Sequence, residues 1–152
     1  MAQPETGRFT VGVFKDVMAA ESGLGALVRQ GFPPESLSII AKEGTAIADF
    51  IQRAVGKAPA AVALPTVGEV LAAGPIVSAL EGADHDLARI GLAAAMRRVG
   101  FQAHDGQIFE KLTERGGVLV AVRSEPRAAD ALATLHCHGG GNAAIGAWTG
   151  RV

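Results

Sequence analysis

Two strand–helix–strand units, one near each end of a 152-residue chain, predict an α+β fold. The first spans residues 8–42 and the second 117–149. They echo each other at one constant offset with no gap: Val11 falls on Leu119, Phe14 on Val122, Leu24 and Leu27 on Leu132 and Leu135, Gly31 on Gly139 and Leu37 on Ile145. A duplicated βαβ is the ground plan of the ferredoxin-like sandwich. The expectation is therefore a single domain over 1–152 with a four-stranded antiparallel sheet in the order 4-1-3-2. Residues 43–116 form a mainly helical insert between the units.

Arg8–Phe14 is short, β-branched and aromatic, which is a strand signal. Asp16 then stands where an N-cap is wanted. Val17, Ala20, Leu24, Leu27 and Val28 follow at helical spacing, with Gly31 as the stop. Pro33-Pro34 break the chain before the strand at Leu37–Ala41, and such a crossover is right-handed. Thr45 is expected to cap a second helix carrying Ile47, Phe50, Ile51, Ala54 and Val55, closed by Gly56.

From Ala60 to Leu80 the chain is nearly all apolar. The length would allow a membrane span, but Glu69 and the breaks at Pro65, Gly68 and Gly74-Pro75 argue against one, because unpaired backbone groups are costly in lipid. A buried, irregular strand–turn–helix is expected instead. Asp84 is expected to cap one continuous helix to Val99 with two apolar stripes. Leu87, Ile90, Gly91 and Ala94 form one; Leu92, Met96 and Val99 form the other. A sheet face covers only one stripe, so Leu92 or Met96 is expected at, or next to, a subunit contact. A further helix near Asp105–Arg115 turns Ile108, Phe109 and Leu112 inward. Val118–Val122, the most apolar strand, belongs in the sheet centre. Ser124 caps the last helix, with Ala128, Ala131, Leu132 and Leu135 on its stripe. After Gly139-Gly140-Gly141, residues Ala143–Trp148 complete the sheet.

Composition narrows the function classes. Lys and Arg total 14 against 15 Asp and Glu, so there is no basic surplus for nucleic acid or an anionic membrane. One cysteine excludes an intrachain disulfide framework. Met1–Glu5 has neither the basic flank nor the apolar run of a signal peptide, so the chain is expected in the cytoplasm. There are 29 alanines and 20 glycines but no tyrosine, which favours close packing and assembly over gripping a polar substrate.

Four segments carry a resemblance: VGVFKDVMAAESGLGALVRQGFPPESLSII, GEVLAAGPIVSAL, GLAAAMRRVGFQAHDGQIFEKLTERGG and VLVAV. Together they resemble the bacterial general stress protein 17M-like (heat-induced stress protein) domain family over most of residues 8–136. The resemblance implies a stress-linked domain and carries over no catalytic motif. Two segments depart from the family pattern: Gln102-Ala103-His104-Asp105, and His136-Cys137-His138 with the glycines after it.

His136, Cys137 and His138 are the one cluster of soft ligands. Consecutive residues aim in different directions, unlike the spacing of metal sites, and His85 or His104 could join them only if the fold brought them together. Histidines ending a helix beside its last carbonyls are the simpler reading. In Asp84-His85-Asp86 the acids suit a helix start as well as a ligand run. His104-Asp105 could be a base and its orienting acid, but no nucleophile stands in a Gly-x-Ser-x-Gly setting. Gly23-Leu24-Gly25 lies within a helix and lacks the third glycine of a dinucleotide site. Gly139-Gly140-Gly141 lacks the Lys-Ser/Thr of a phosphate loop.

The sequence thus predicts a non-enzymatic, self-associating domain without cofactor or metal. The alternatives are a small-molecule or metal-responsive module, with the insert as lid and His136, Cys137 and His138 as ligands, and an enzyme hidden in the insert.

Overall fold

The computed structural model describes residues 9–81, 86–123, 127–140 and 144–145. Three apolar strands form the middle of an antiparallel sheet: β1 (Phe9–Phe14), β2 (Leu37–Lys42) and β5 (Val118–Arg123). β5 lies between the other two, paired Val11↔Ala121 with β1 and Ile39↔Val120 with β2. A two-residue β6 (Ala144–Ile145) adds to the far side of β1. Beside β2 lies a hairpin of β3 (Ala60–Leu64) and β4 (Gly68–Ala73).

The sheet is therefore six-stranded, in the order β3-β4-β2-β5-β1-β6. The expected four-stranded ferredoxin-like sheet is corrected. The 60–80 run folds back at Pro65–Val67, where Gly68 takes φ +96°, and supplies two strands before its helix. β2, expected at an edge, is interior as a result.

Helices cover both faces of the sheet. On one face lie α1 (Val17–Arg29), α2 (Thr45–Val55) and α7 (Ala128–Cys137), packing Leu24, Leu27, Phe50, Ile51 and Leu135 against Phe14, Ile39 and Val120. On the other lie α3 (Pro75–Glu81), α4 (Asp86–Ile90), α5 (Leu92–Arg98) and α6 (Ala103–Glu114). Their Ile76, Leu87, Leu92, Met96 and Phe109 meet Val11, Ile40, Val70 and Leu119. Two covered faces explain why the middle strands are buried along almost their whole length and mostly apolar, with Thr10 and Ser38 as buried polar exceptions, instead of alternating. The repeat places its equivalents alike. Val11 and Leu119 face the α3–α6 layer, and Phe14 and Val122 face the α1–α2–α7 layer.

Local chemistry sets the helix ends. Asp16 caps α1 as expected, its Oδ1 accepting from Ala19 N at 2.9 Å. The second helix starts at Thr45 itself, with Gly44 in the cap position, so Thr45 is not its cap. The continuous 84–99 helix is also corrected. Gly91, at φ +92°, separates α4 from α5, and the Glu110 carboxylate of α6 accepts from Ala93 N at 3.3 Å. The break rotates the second segment, so Leu87, Leu92 and Met96 are all fully buried in one protomer while Ala94 is exposed. The expected subunit contact at Leu92 or Met96 is thereby overturned. The Asp84 and Ser124 caps and most of the Ala143–Trp148 strand lie outside the described residues. No helix among the described residues is long and apolar enough to cross a membrane.

Candidate functional site

The sequence-predicted ligand residues do not converge. His136 and Cys137 are exposed on the last turn of α7, and His138 occupies its C-cap position. His138 Nδ1 lies 3.3 Å from Ser22 Oγ of α1, an exposed contact that ties two surface helices together. His104 is exposed on α6, in the opposite helix layer, so the whole sheet stands between it and the His136–His138 segment. No group of three His, Cys, Asp or Glu side chains among the described residues could hold a metal ion. Asp84 and His85 lie outside the described residues.

The glycine runs serve packing. A Cβ on Gly23 would sit 2.5 Å from the Phe14 ring, so this glycine lets α1 lie close on β1. Gly140 donates its N–H to Leu135 O and accepts from Val13 N, both at 2.7 Å; Gly139 N–H is taken by His136 O. Both amides are taken by carbonyls of the last turn of α7 and are not free to hold a phosphate. Gly141 lies outside the described residues.

The clefts are shallow. One of about 470 Å³ between α1 and α2 is lined by Leu24, Leu37 and Phe50, and the Arg53–Glu21 ion pair at 3.1 Å joins residues on its two walls. Another of about 490 Å³ runs between α5 and α6. Its Arg98 donates from Nη2 to the Ala79 and Leu80 carbonyls at 2.8 Å, holding the end of α3.

The feature left with unused interaction capacity is the sheet edge at β3. Ala60, Ala61 and Ala63 are exposed, Val62 is half-buried, and only Leu64 is buried. The strand carries no charged residue; among the described residues β4 is its one strand neighbour, and α4 packs against it. Edge strands are normally blunted by charge, proline or bulges because their free N–H and C=O groups recruit other strands.

Which groups are free follows from the ladder. Glu43 N donates to Glu69 O at 3.1 Å, extending the Lys42↔Val70 register of β2 and β4. Glu69 and Leu71 therefore direct their backbone groups to β2, and Gly68, Val70 and Ala72 direct theirs to β3, because antiparallel partners alternate. Through the pairs Ala60↔Ala72, Val62↔Val70 and Leu64↔Gly68, residues 60, 62 and 64 are bonded inward. Ala61 and Ala63 point their N–H and C=O groups outward. Pro59 and Pro65 stand next in the same alternation, and neither has an N–H.

Behind this edge, the Glu43 carboxyl is held above the usual carboxylate range by its hydrogen bond to the Glu69 side chain and by the like charge there. Sequence reasoning missed the edge. The signal available was Pro65-Thr66-Val67-Gly68 between two runs containing valine and leucine, a turn between strands. Compared with family models, curated proteins and solved structures, the chain finds no match in any of the three.

Proposed function

We propose that this protein is a non-enzymatic, cytoplasmic, stress-associated domain that works by self-association, and that the open edge at β3 is its working surface. The observation that carries the reading is the pair of outward-facing, exposed alanines on an uncharged edge strand. Four polar backbone groups in that short stretch face away from β4 with no strand beside them among the described residues, and a paired strand is the structure that satisfies them together. The resemblance to a bacterial stress-domain family supplies the stress setting. The non-enzymatic part is supported by Ser22–His138, a serine–histidine contact that lies exposed between two surface helices, without the enclosure that activates a nucleophile.

Light scattering over a dilution series tests this. A protomer is 15.5 kDa, and the expected mass rises toward twice that value as concentration increases. A five-residue strand contributes far less than the roughly 800 Å² per partner of a standard interface, so the rise belongs at about 10 µM and above. A constant protomer mass up to about 1 mM, where even the weakest specific contacts register, would overturn the reading.

A further inference from the structure

We infer that a second copy of this chain docks on β3 as an antiparallel strand, about a two-fold axis passing Val62, joining two sheets into one. The inference rests on the self-association reading and specifies its partner and register. The edge offers the N–H and C=O groups of Ala61 and Ala63, derived above from the ladder. Placing the axis at Val62 sets Ala61 of one copy opposite Ala63 of the other, twice over. Each pair exchanges two bonds, so every outward group on both strands is satisfied.

The prolines select this register. Sliding one strand by two residues sets Ala61 opposite itself and Ala63 opposite Pro59, or Ala63 opposite itself and Ala61 opposite Pro65. In either case an alanine carbonyl faces a residue with no N–H to give. In the central register Pro59 meets Pro65, and the ladder ends at the strand ends. A parallel arrangement lacks the two-fold that makes one patch its own complement. Side chains permit the approach. Ala61 and Ala63 share one face of the strand, Val62 projects from the other, and none of the three is charged or large. A copy of the same chain is therefore matched in donors, acceptors, length and bulk.

Cross-linking in a Cys137→Ser background tests the register. At the axis the two Val62 residues form a pair without mutual hydrogen bonds, with Cα atoms about 4.5 Å apart, inside the span of a disulfide. Val62→Cys should oxidise to a covalent dimer. Ala61→Cys and Ala63→Cys should cross-link when mixed and far less when each is alone, since identical positions sit about 7–8 Å apart on the diagonal. Ala61→Pro, which removes only an outward N–H, should weaken the dimer by about tenfold or more with the protomer still folded by circular dichroism. A dimer in light scattering that Val62→Cys does not trap, and that Ala61→Pro leaves intact, would overturn the register and leave self-association standing. A chain that stays a protomer at every concentration would overturn both.

Discussion

Ser38 and Gly74 join the hairpin to the layer beneath it, and their substitution gives a stability measurement with a calculable outcome. Ser38 lies on β2 and is fully buried; its Oγ accepts from Ile76 N at 3.0 Å. Ile76 is the second residue of α3, and Pro75 before it has no N–H, so this hydroxyl satisfies the first donor of the helix. Ser38→Ala leaves that amide buried and unpaired, at a cost of about 1–3 kcal/mol. For a chain of this length each kcal/mol lowers Tm by about 2–4 °C, so the loss is about 2–12 °C. Gly74→Ala should cost more. Gly74 has φ +113°, and a Cβ there would lie 2.4 Å from Ser38 Cα and 2.5 Å from Leu37 O. Both contacts are backbone of an interior strand, so α3 must lift off the sheet, at more than about 3 kcal/mol out of a total near 5–15. Urea unfolding followed by circular dichroism reads both variants, with an unchanged m-value as the sign that only stability moved. If Ser38→Ala and Gly74→Ala both fall within about 0.5 kcal/mol of the parent, the range of ordinary surface changes, this account of how the hairpin is anchored is refuted.

Leu92→Asp should unfold the protomer instead of dissociating an oligomer, because Leu92 is fully buried within one chain; a folded, monomeric variant by circular dichroism and light scattering would contradict that. Glu43→Gln should stabilise the protein near neutral pH and lose its advantage in acid. The folded chain holds the Glu43 proton more tightly than the unfolded chain does. The stability this gives is full below the ordinary glutamate range and is lost as pH rises through the raised value of Glu43; urea midpoints at neutral and acid pH give the comparison. Cys137 is exposed and should take a thiol reagent with the circular dichroism spectrum unchanged; labelling that unfolds the chain would give it a structural role.

Where local pattern and final environment agree, the fold was readable from residues. β1, β2 and β5 announce themselves as short, mostly apolar, β-branched runs, and Asp16 and Gly56 end their helices as their chemistry requires. The hairpin was not readable in the same way. Ala60–Leu64 is mostly alanine, which favours strands poorly and shows no two-residue alternation when every side chain is apolar. The break at Gly91 hid for a related reason: apolar residues continue through it, and only a backbone rotation tells one helix from two. The open edge is a further step removed. Which strand ends a sheet depends on how the hairpin adds to β2, and no spacing within Ala60–Leu64 encodes that.

The segment between the two repeated units does two things for the protein at once. α3–α6 cover the face of the sheet that a bare duplicated unit would leave open, and the hairpin moves the edge from β2 to β3. Left at the edge, Leu37–Ala41 would present buried-type residues, with isoleucine at two consecutive positions, to any passing strand. Long apolar edges of that kind seed open-ended aggregation. The substitute edge is short, built of alanine and stopped at both ends by proline, so it can make few bonds and only over one stretch. The two-fold pairing proposed for it would consume the patch on both copies, and the same contact could not repeat outward. An edge protected against indiscriminate pairing and an edge that pairs once with its own copy are the same design, because limiting the number of free N–H groups limits the partner to one strand in one register.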